Sequence, residues 1–209
     1  MILSKPSKYE EVEVNEFDYT PLSLGGHKGI IKKVEEYTSD YSGNTSLKVE
    51  VDTDKTDKQP EYFQEQFNNN TNATKRWPAG ATKYVSLKED ETCVRMLKAF
   101  ITAVENSNPN FKYNWEKDIE QLNGKKIGLI FGLEEYEDNE GKLKTSTKLT
   151  QFRSIDKVDN AKIPKVKLLD GTFVEYEDYA TKKQENNSNS NDPFKDFGDV
   201  VEIGDDILD

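Results

Sequence analysis

Two residue types on which much enzyme chemistry depends are nearly missing here: one histidine, His27, and one cysteine, Cys93, in 209 residues. A lone cysteine cannot form a disulfide within the chain, which suits a reducing compartment. Nor does the pattern pair the two as nucleophile and base. His27 sits beside Gly25-Gly26 and reads as a loop histidine, whereas Cys93 reads as a core residue on the apolar stripe of a helix. No CxxC, HExxH or EF-hand spacing occurs. Asp52, Asp54 and Asp57 are spaced like part of a calcium loop, but the glycine and terminal glutamate are missing at the required offsets. Glu134-Glu135 and Glu137-Asp138 read as a solvated strand end rather than a magnesium site. Gly128 and Gly132 lead into no helix, so they form no phosphate cradle. Long apolar runs are also absent. No window approaches the ~18 residues of a membrane span, and Met1 to Glu13 lacks the apolar stretch of a signal peptide. These absences predict a cofactor-free, metal-free binding protein, not an enzyme, that is cytoplasmic and works away from membranes.

Hydrophobic residues make up 33% of the chain and charged residues another 33%, so a modest core is affordable but not over the whole length. The formal net charge of −11 is unevenly placed. From Asp192 to Asp209 seven carboxylates face one cation, Lys195, so more than half of the excess sits in a short tail. The body is correspondingly less repulsive toward phosphate than the total implies.

Residues 1–24 are polar with scattered anchors (Tyr9, Val12, Val14, Phe17, Tyr19) and read as an N-terminal arm. His27 to Tyr37 is rich in β-branched residues and reads as a strand. After a turn at Ser42-Gly43-Asn44, Leu47, Val49 and Val51 alternate with polar residues, the period of a half-buried strand. Residues 52–80 form a long polar insertion in which Glu61 to Asn68 can make a short helix, and Thr82 to Leu87 is the third strand. Lys88 to Asn106 carries Cys93, Leu97, Phe100, Ile101 and Val104 at helical spacing, with Asp90 or Glu91 at the start and Ser107-Asn108-Pro109 at the end. Trp115 and Phe131 read as core residues. A second hairpin follows, Ile127 to Leu133 and Leu143 to Ile155, joined at Asp138-Asn139-Glu140-Gly141. Residues 157–180 read as an irregular extension, and 181–209 as a disordered linker with an acidic tail. Five strands with a helix between the third and fourth is the connectivity of an OB-fold, so residues 25–180 are expected to form a mainly β, OB-like five-stranded barrel with one helix. A different β barrel or an α+β sandwich gives the same string of elements.

Several segments resemble a family of small proteins from phages and prophages of Gram-positive bacteria, some described as single-stranded-DNA-binding proteins. They are Tyr62-Phe63-Gln64-Glu65-Gln66-Phe67, Lys75-Arg76-Trp77-Pro78, Phe100-Ile101-Thr102-Ala103-Val104-Glu105, Leu122-Asn123-Gly124-Lys125-Lys126, Phe131-Gly132-Leu133-Glu134-Glu135-Tyr136 and Phe152-Arg153-Ser154. The resemblance spans about residues 25–180 and implies an OB-like fold in a replication or recombination module of a bacterial host cell. The tail is similar to the acidic tip of bacterial single-stranded-DNA-binding proteins, which recruits replication and recombination enzymes. It departs from them in ending Leu208-Asp209 rather than in phenylalanine.

Single-stranded DNA is the ligand this composition fits best, because such sites need aromatic faces for bases and cations for phosphates. Tyr37 and Tyr41 flank the first hairpin loop near Lys32, Lys33 and Lys48. Lys75-Arg76-Trp77 sets two cations beside an indole that can equally plug the barrel. Tyr136, Phe152 and Arg153, with Lys142, Lys144 and Lys148, belong to the second hairpin. In the tail, Phe194, Phe197, Asp205, Asp206, Ile207 and Leu208 read as a docking peptide for replication or recombination proteins. Self-association and a protein-interaction adaptor or inhibitor without DNA binding remain open on sequence grounds.

Overall fold

The computed structural model describes Lys5, Ser7 and residues 20–188. The elements run β1 (Gly25–Thr38), β2 (Thr45–Thr53), α1 (Tyr62–Asn69), β3 (Thr82–Ser86), α2 (Glu91–Ser107), β4 (Lys126–Glu137), β5 (Leu143–Arg153), β6 (Val166–Lys167), β7 (Phe173–Val174) and α3 (Tyr176–Ser188), with 3-10 turns at Ala79–Ala81, Ile119–Leu122 and Ile155–Lys157.

The seven strands among the described residues share one sheet. Its path is β3-β2-β1-β4-β6-β7, with β5 also paired to β4. Every ladder is antiparallel except β4 with β6, so the sheet is mixed. Two long strands each serve more than one neighbour. The start of β1 pairs with β4, the remainder with β2. In turn β4 holds β1 along its first half and meets β6 at Glu134. The β1–β2 ladder slips at Ile31/Lys33, a bulge that leaves Lys32 without a partner and sharpens the local twist.

The first hairpin closes as its Gly and Asn predict: Gly43 sits at φ 65° and donates to Ser39 O, while Ser39 N donates to Asn44 O. Period two then sorts the side chains. Val49, Val51, Ile127, Leu129 and Phe131 turn inward with no exposed surface. One face of α2, chiefly Phe100, Ile101 and Val104, closes over this core. Asp90 caps α2 by accepting from Cys93 N at 3.0 Å. For α1 the cap comes from elsewhere. Its first residue is preceded by Glu61 in a left-handed conformation with no capping bond, and the buried Asp52 carboxylate at the end of β2 accepts from Phe63 N at 2.9 Å instead.

Several expectations need correction. The sheet is not a closed five-stranded barrel: it has seven strands, and among the described residues no ladder joins β3 to β5. The two extra strands come from the extension expected to be irregular, which passes so close to β1 that a Cβ on Gly26 would lie 1.9 Å from Val158 O. His27 lies in β1, not a loop, and is wholly buried. Trp115 is 72% exposed rather than core: its connector packs Phe111 and Tyr113 against the body, and Trp115 lies edge-on against Tyr113. Cys93, in the first turn of α2, is only half-buried. Helix α3 carries the chain to Ser188, past Thr181 where composition predicts disorder. The acidic segment lies outside the described residues. No helix among the described residues is long and apolar enough to cross a membrane.

Candidate nucleic-acid interface

Strand register decides which side chains share the outer face of β1, β2 and β3. Leu47 and Val49 point inward, so their neighbours Ser46, Lys48 and Glu50 point out. Opposite these lie Tyr37, Glu35 and Lys33 on β1, and Ser86, Tyr84 and Thr82 on β3. At one end Tyr37 and Tyr84 lie against each other, ring centroids 5.2 Å apart and tilted by 55°, both rings more than two-fifths exposed. A shallow groove of about 530 Å³ opens beside them, rimmed by Ser39, Asn44, Ser86 and Lys88 and reaching Cys93. Tyr41 stands fully exposed at the hairpin tip.

The centre of this face is an ion-pair network. Lys48 Nζ lies 3.0 Å from Glu35 and 2.8 Å from Glu50, and Lys33 pairs with the same Glu35. Hydrogen bonds from Lys33 and Lys48 hold the Glu35 carboxyl below its usual range. Burial works against the charge on Lys48, yet Glu50 and Glu35 outweigh it and raise its pKa.

At the other end is a second aromatic cluster. Trp77 donates from Nε1 to Val51 O at 3.0 Å and packs on Phe67 at 5.6 Å. Lys32, freed by the bulge, reaches over the indole with Nζ 5.8 Å from its centroid, and Lys75 Nζ lies 5.9 Å from the Phe67 ring. At ~3.3 Å per residue, the five steps of β1 from Tyr37 to Lys32 span about 16 Å, so the two clusters bracket one strip of surface.

The other expected residues divide. Arg76 is exposed, and neither it nor Lys32 or Lys148 has an ion pair among the described residues. Lys75 donates to Asn68 O, and Arg153 to Gln151. Lys142 and Lys144 are tied to Glu140 at 2.6 Å and Asp138 at 3.2 Å. Tyr136 is half-buried on β4 opposite Lys144. Phe152 packs on Phe100 at 4.8 Å and belongs with the core. Of the second hairpin, Lys148 and Arg153 thus stay without an ion pair among the described residues, the tip lysines are matched to carboxylates, and of the two rings Phe152 is withdrawn into the core. Tail residues Phe194, Phe197, Asp205, Asp206, Ile207 and Leu208 lie outside the described residues.

Two features escaped the sequence reading. Tyr84 alternates with buried Val85, a period-two signal over a strand too short to stand out. The other is a Ser-His-Asp line: Ser23 Oγ is 3.1 Å from His27 Nε2, and His27 Nδ1 is 2.7 Å from Asp57 Oδ2. Its partners argue for a clip rather than a triad. Nε2 also faces the Ser23 carbonyl at 2.8 Å and donates to it, so it presents no lone pair to the hydroxyl. Burial pushes the Asp57 carboxyl up, but the bond from His27 and those from the Gln59 and Lys28 amides outweigh it and hold the group below its usual range. The clip fastens the insertion to β1. Among the described residues no cluster of three metal-ligating side chains occurs.

No family model matches the chain, and the search of curated proteins found no match.

Proposed function

We propose that this protein binds single-stranded DNA across the outer face of β1, β2 and β3 and serves as an accessory factor in phage replication or recombination. The observation that carries the reading is the strip itself: an exposed tyrosine pair at one end, a cation-topped indole at the other, about 16 Å apart by strand rise. Bases stack on any aromatic face, so such a strip accepts a strand without reading its sequence. The fold behind it supports the same proposal. The order β3-β2-β1-β4-β5, with a helix between β3 and β4, is one an OB-like fold would also have. The resemblance of residues 25–180 to small phage and prophage proteins, some described as single-stranded-DNA-binding, points the same way, and the acidic tail would recruit partners.

The ion pairs favour one competing reading. With Lys33, Lys48, Lys142 and Lys144 already matched to carboxylates, the face has few cations to offer phosphate, which suits an adaptor that binds a protein partner. The two separate by titration of a fluorescent single-stranded oligonucleotide. Loss of one stacking ring costs about 1–3 kcal/mol, so Tyr37→Ala and Tyr84→Ala should each weaken binding roughly 5- to 150-fold while the domain stays folded. Equal affinity of both variants and the parent would rule out the strip. No binding by the parent at low salt would leave the adaptor.

A further inference from the structure

Unmatched cations are not spread along the strip; they gather at one end of it. Across the centre each lysine already has a carboxylate: Lys33 and Lys48 share Glu35, and Lys48 reaches Glu50 as well. Beside Trp77 the arrangement reverses. Lys32 Nζ lies 5.8 Å from the Trp77 centroid and Lys75 Nζ 5.9 Å from that of Phe67, the two rings being 5.6 Å apart. Arg76 stands between Lys75 and Trp77 in the chain. Lys32, Lys75 and Arg76 are all exposed, and none has an ion pair among the described residues. Asp52 feels the charge of Lys32, but it is buried and its Oδ1 accepts from the Thr53 and Phe63 amides. A Cβ on Gly80, three residues beyond Trp77, would lie 2.7 Å from Thr147 O, so β5 passes the same end of the strip.

This distribution suits a ligand whose charge is concentrated at one end. A strand lying along the whole strip would set phosphates over a centre whose lysines are taken and leave cations over at one end. A phosphomonoester carries a charge of about −1.5 to −2 at neutral pH, and the phosphodiester next to it one more. Together they come to about the three charges that Lys32, Lys75 and Arg76 supply. The rings divide in the same way. Trp77 is half-buried, with Phe67 and Lys32 already against it, so this end offers charge more than an open face. The exposed Tyr37–Tyr84 pair offers the other end rings.

We propose that Lys32, Lys75 and Arg76 form a site for the terminal phosphate of a single strand, whose bases then run toward Tyr37 and Tyr84. The inference rests on the DNA-binding reading and narrows its ligand to a strand with a phosphorylated end.

Calorimetric titration of the full chain at low salt tests it, with oligonucleotides of about eight nucleotides carrying a 5′ phosphate, a 3′ phosphate or neither. One phosphorylated form should bind roughly 10-fold or more tighter than the unphosphorylated strand, as added charge-assisted contacts imply. Which form does so gives the direction of the strand. Lys32→Met with Arg76→Gln should bring phosphorylated and unphosphorylated strands to the same affinity. Tyr37→Ala should weaken both alike and keep their ratio. Should the double variant unfold, Arg76→Gln alone should still narrow that ratio. Equal affinity of the parent for all three strands would overturn the inference and leave the DNA-binding reading standing. A preference that survives the double variant would overturn it as well, by placing the phosphate elsewhere. No binding of any strand would remove both.

Discussion

At the residue scale, two buried aspartates 5 positions apart respond to pH with opposite sign. Burial raises the pKa of Asp52 despite the amides of Phe63 and Thr53 that bond to it. Its native form therefore binds a proton that the unfolded chain, with an ordinary value of ~3.9, has already released, and this position adds stability as pH falls through the raised value. Asp57 is lowered, so its contribution is fully present above the unfolded value and is lost as pH falls through the depressed folded one. Asp52→Asn should remove the first effect and leave the second. Urea midpoints taken between pH 7 and 3 should then show a variant no less stable than the parent at pH 7 and more steeply destabilised by acid. A variant that tracks the parent at every pH would mean that Asp52 does not titrate in the native state. Asn can replace this side chain because Oδ1 alone accepts from both Thr53 N and Phe63 N.

At the element scale, the helices draw their ends from different sources. The cap of α2 is local, and Asp90→Ala should cost about 1 kcal/mol, the ordinary worth of an N-cap, seen as a lower melting temperature. The packing of the extension is set by glycine. Gly26→Ala would drive a methyl into the Val158 carbonyl, backbone against backbone. Overpacking of this kind costs about 3 kcal/mol at its upper ordinary range, and differential scanning calorimetry should find Gly26→Ala far more damaging than Gly43→Ser, whose Cβ meets nothing within 4 Å although its φ of 65° still disfavours a side chain. The Tyr179 hydroxyl donates to Glu135 at 2.8 Å, and burial together with that bond takes its pKa to about 12. This bond ties α3 to β4 across the second hairpin.

At the scale of the whole molecule, charge arrangement outweighs charge count. Among the described residues, the cations of the strip and the second hairpin that lack an ion pair are Lys32, Arg76 and Lys148, with Lys75 and Arg153 bonded to neutral oxygens. If three phosphates are neutralised, the ~0.7 released counterions per single-strand phosphate give a slope near −2 in log affinity against log salt. A slope near zero in the same titration would show that phosphate takes no part. Lys48→Met should steepen nothing, because Lys48 is neutralised by Glu35 and Glu50 before any ligand arrives.

The sequence by itself determined the elements whose signal is local. Alternation placed β1, β2, β4 and β5, helical spacing placed α2, and Gly43 and Gly141 marked the two hairpin turns, both at positive φ. It also set the exposure of Tyr37 and Tyr41 and the burial of Phe131. What depends on distant partners was decided only by the tertiary structure. Lys33, Lys48, Lys142 and Lys144 read as free cations and are not: Glu35, Glu50 and Glu140 stand two residues from the first three, a local pairing the reading passed over, whereas only strand pairing brings Glu35 to Lys48 and Asp138 to Lys144. Tyr84 becomes a partner for Tyr37 only once β2 lies between them. His27 is fixed by Asp57, 30 residues away, and Phe152 is withdrawn from the surface by Phe100 on α2. Periodicity fixes which way a side chain points; what it finds there is a matter of register, burial and charge.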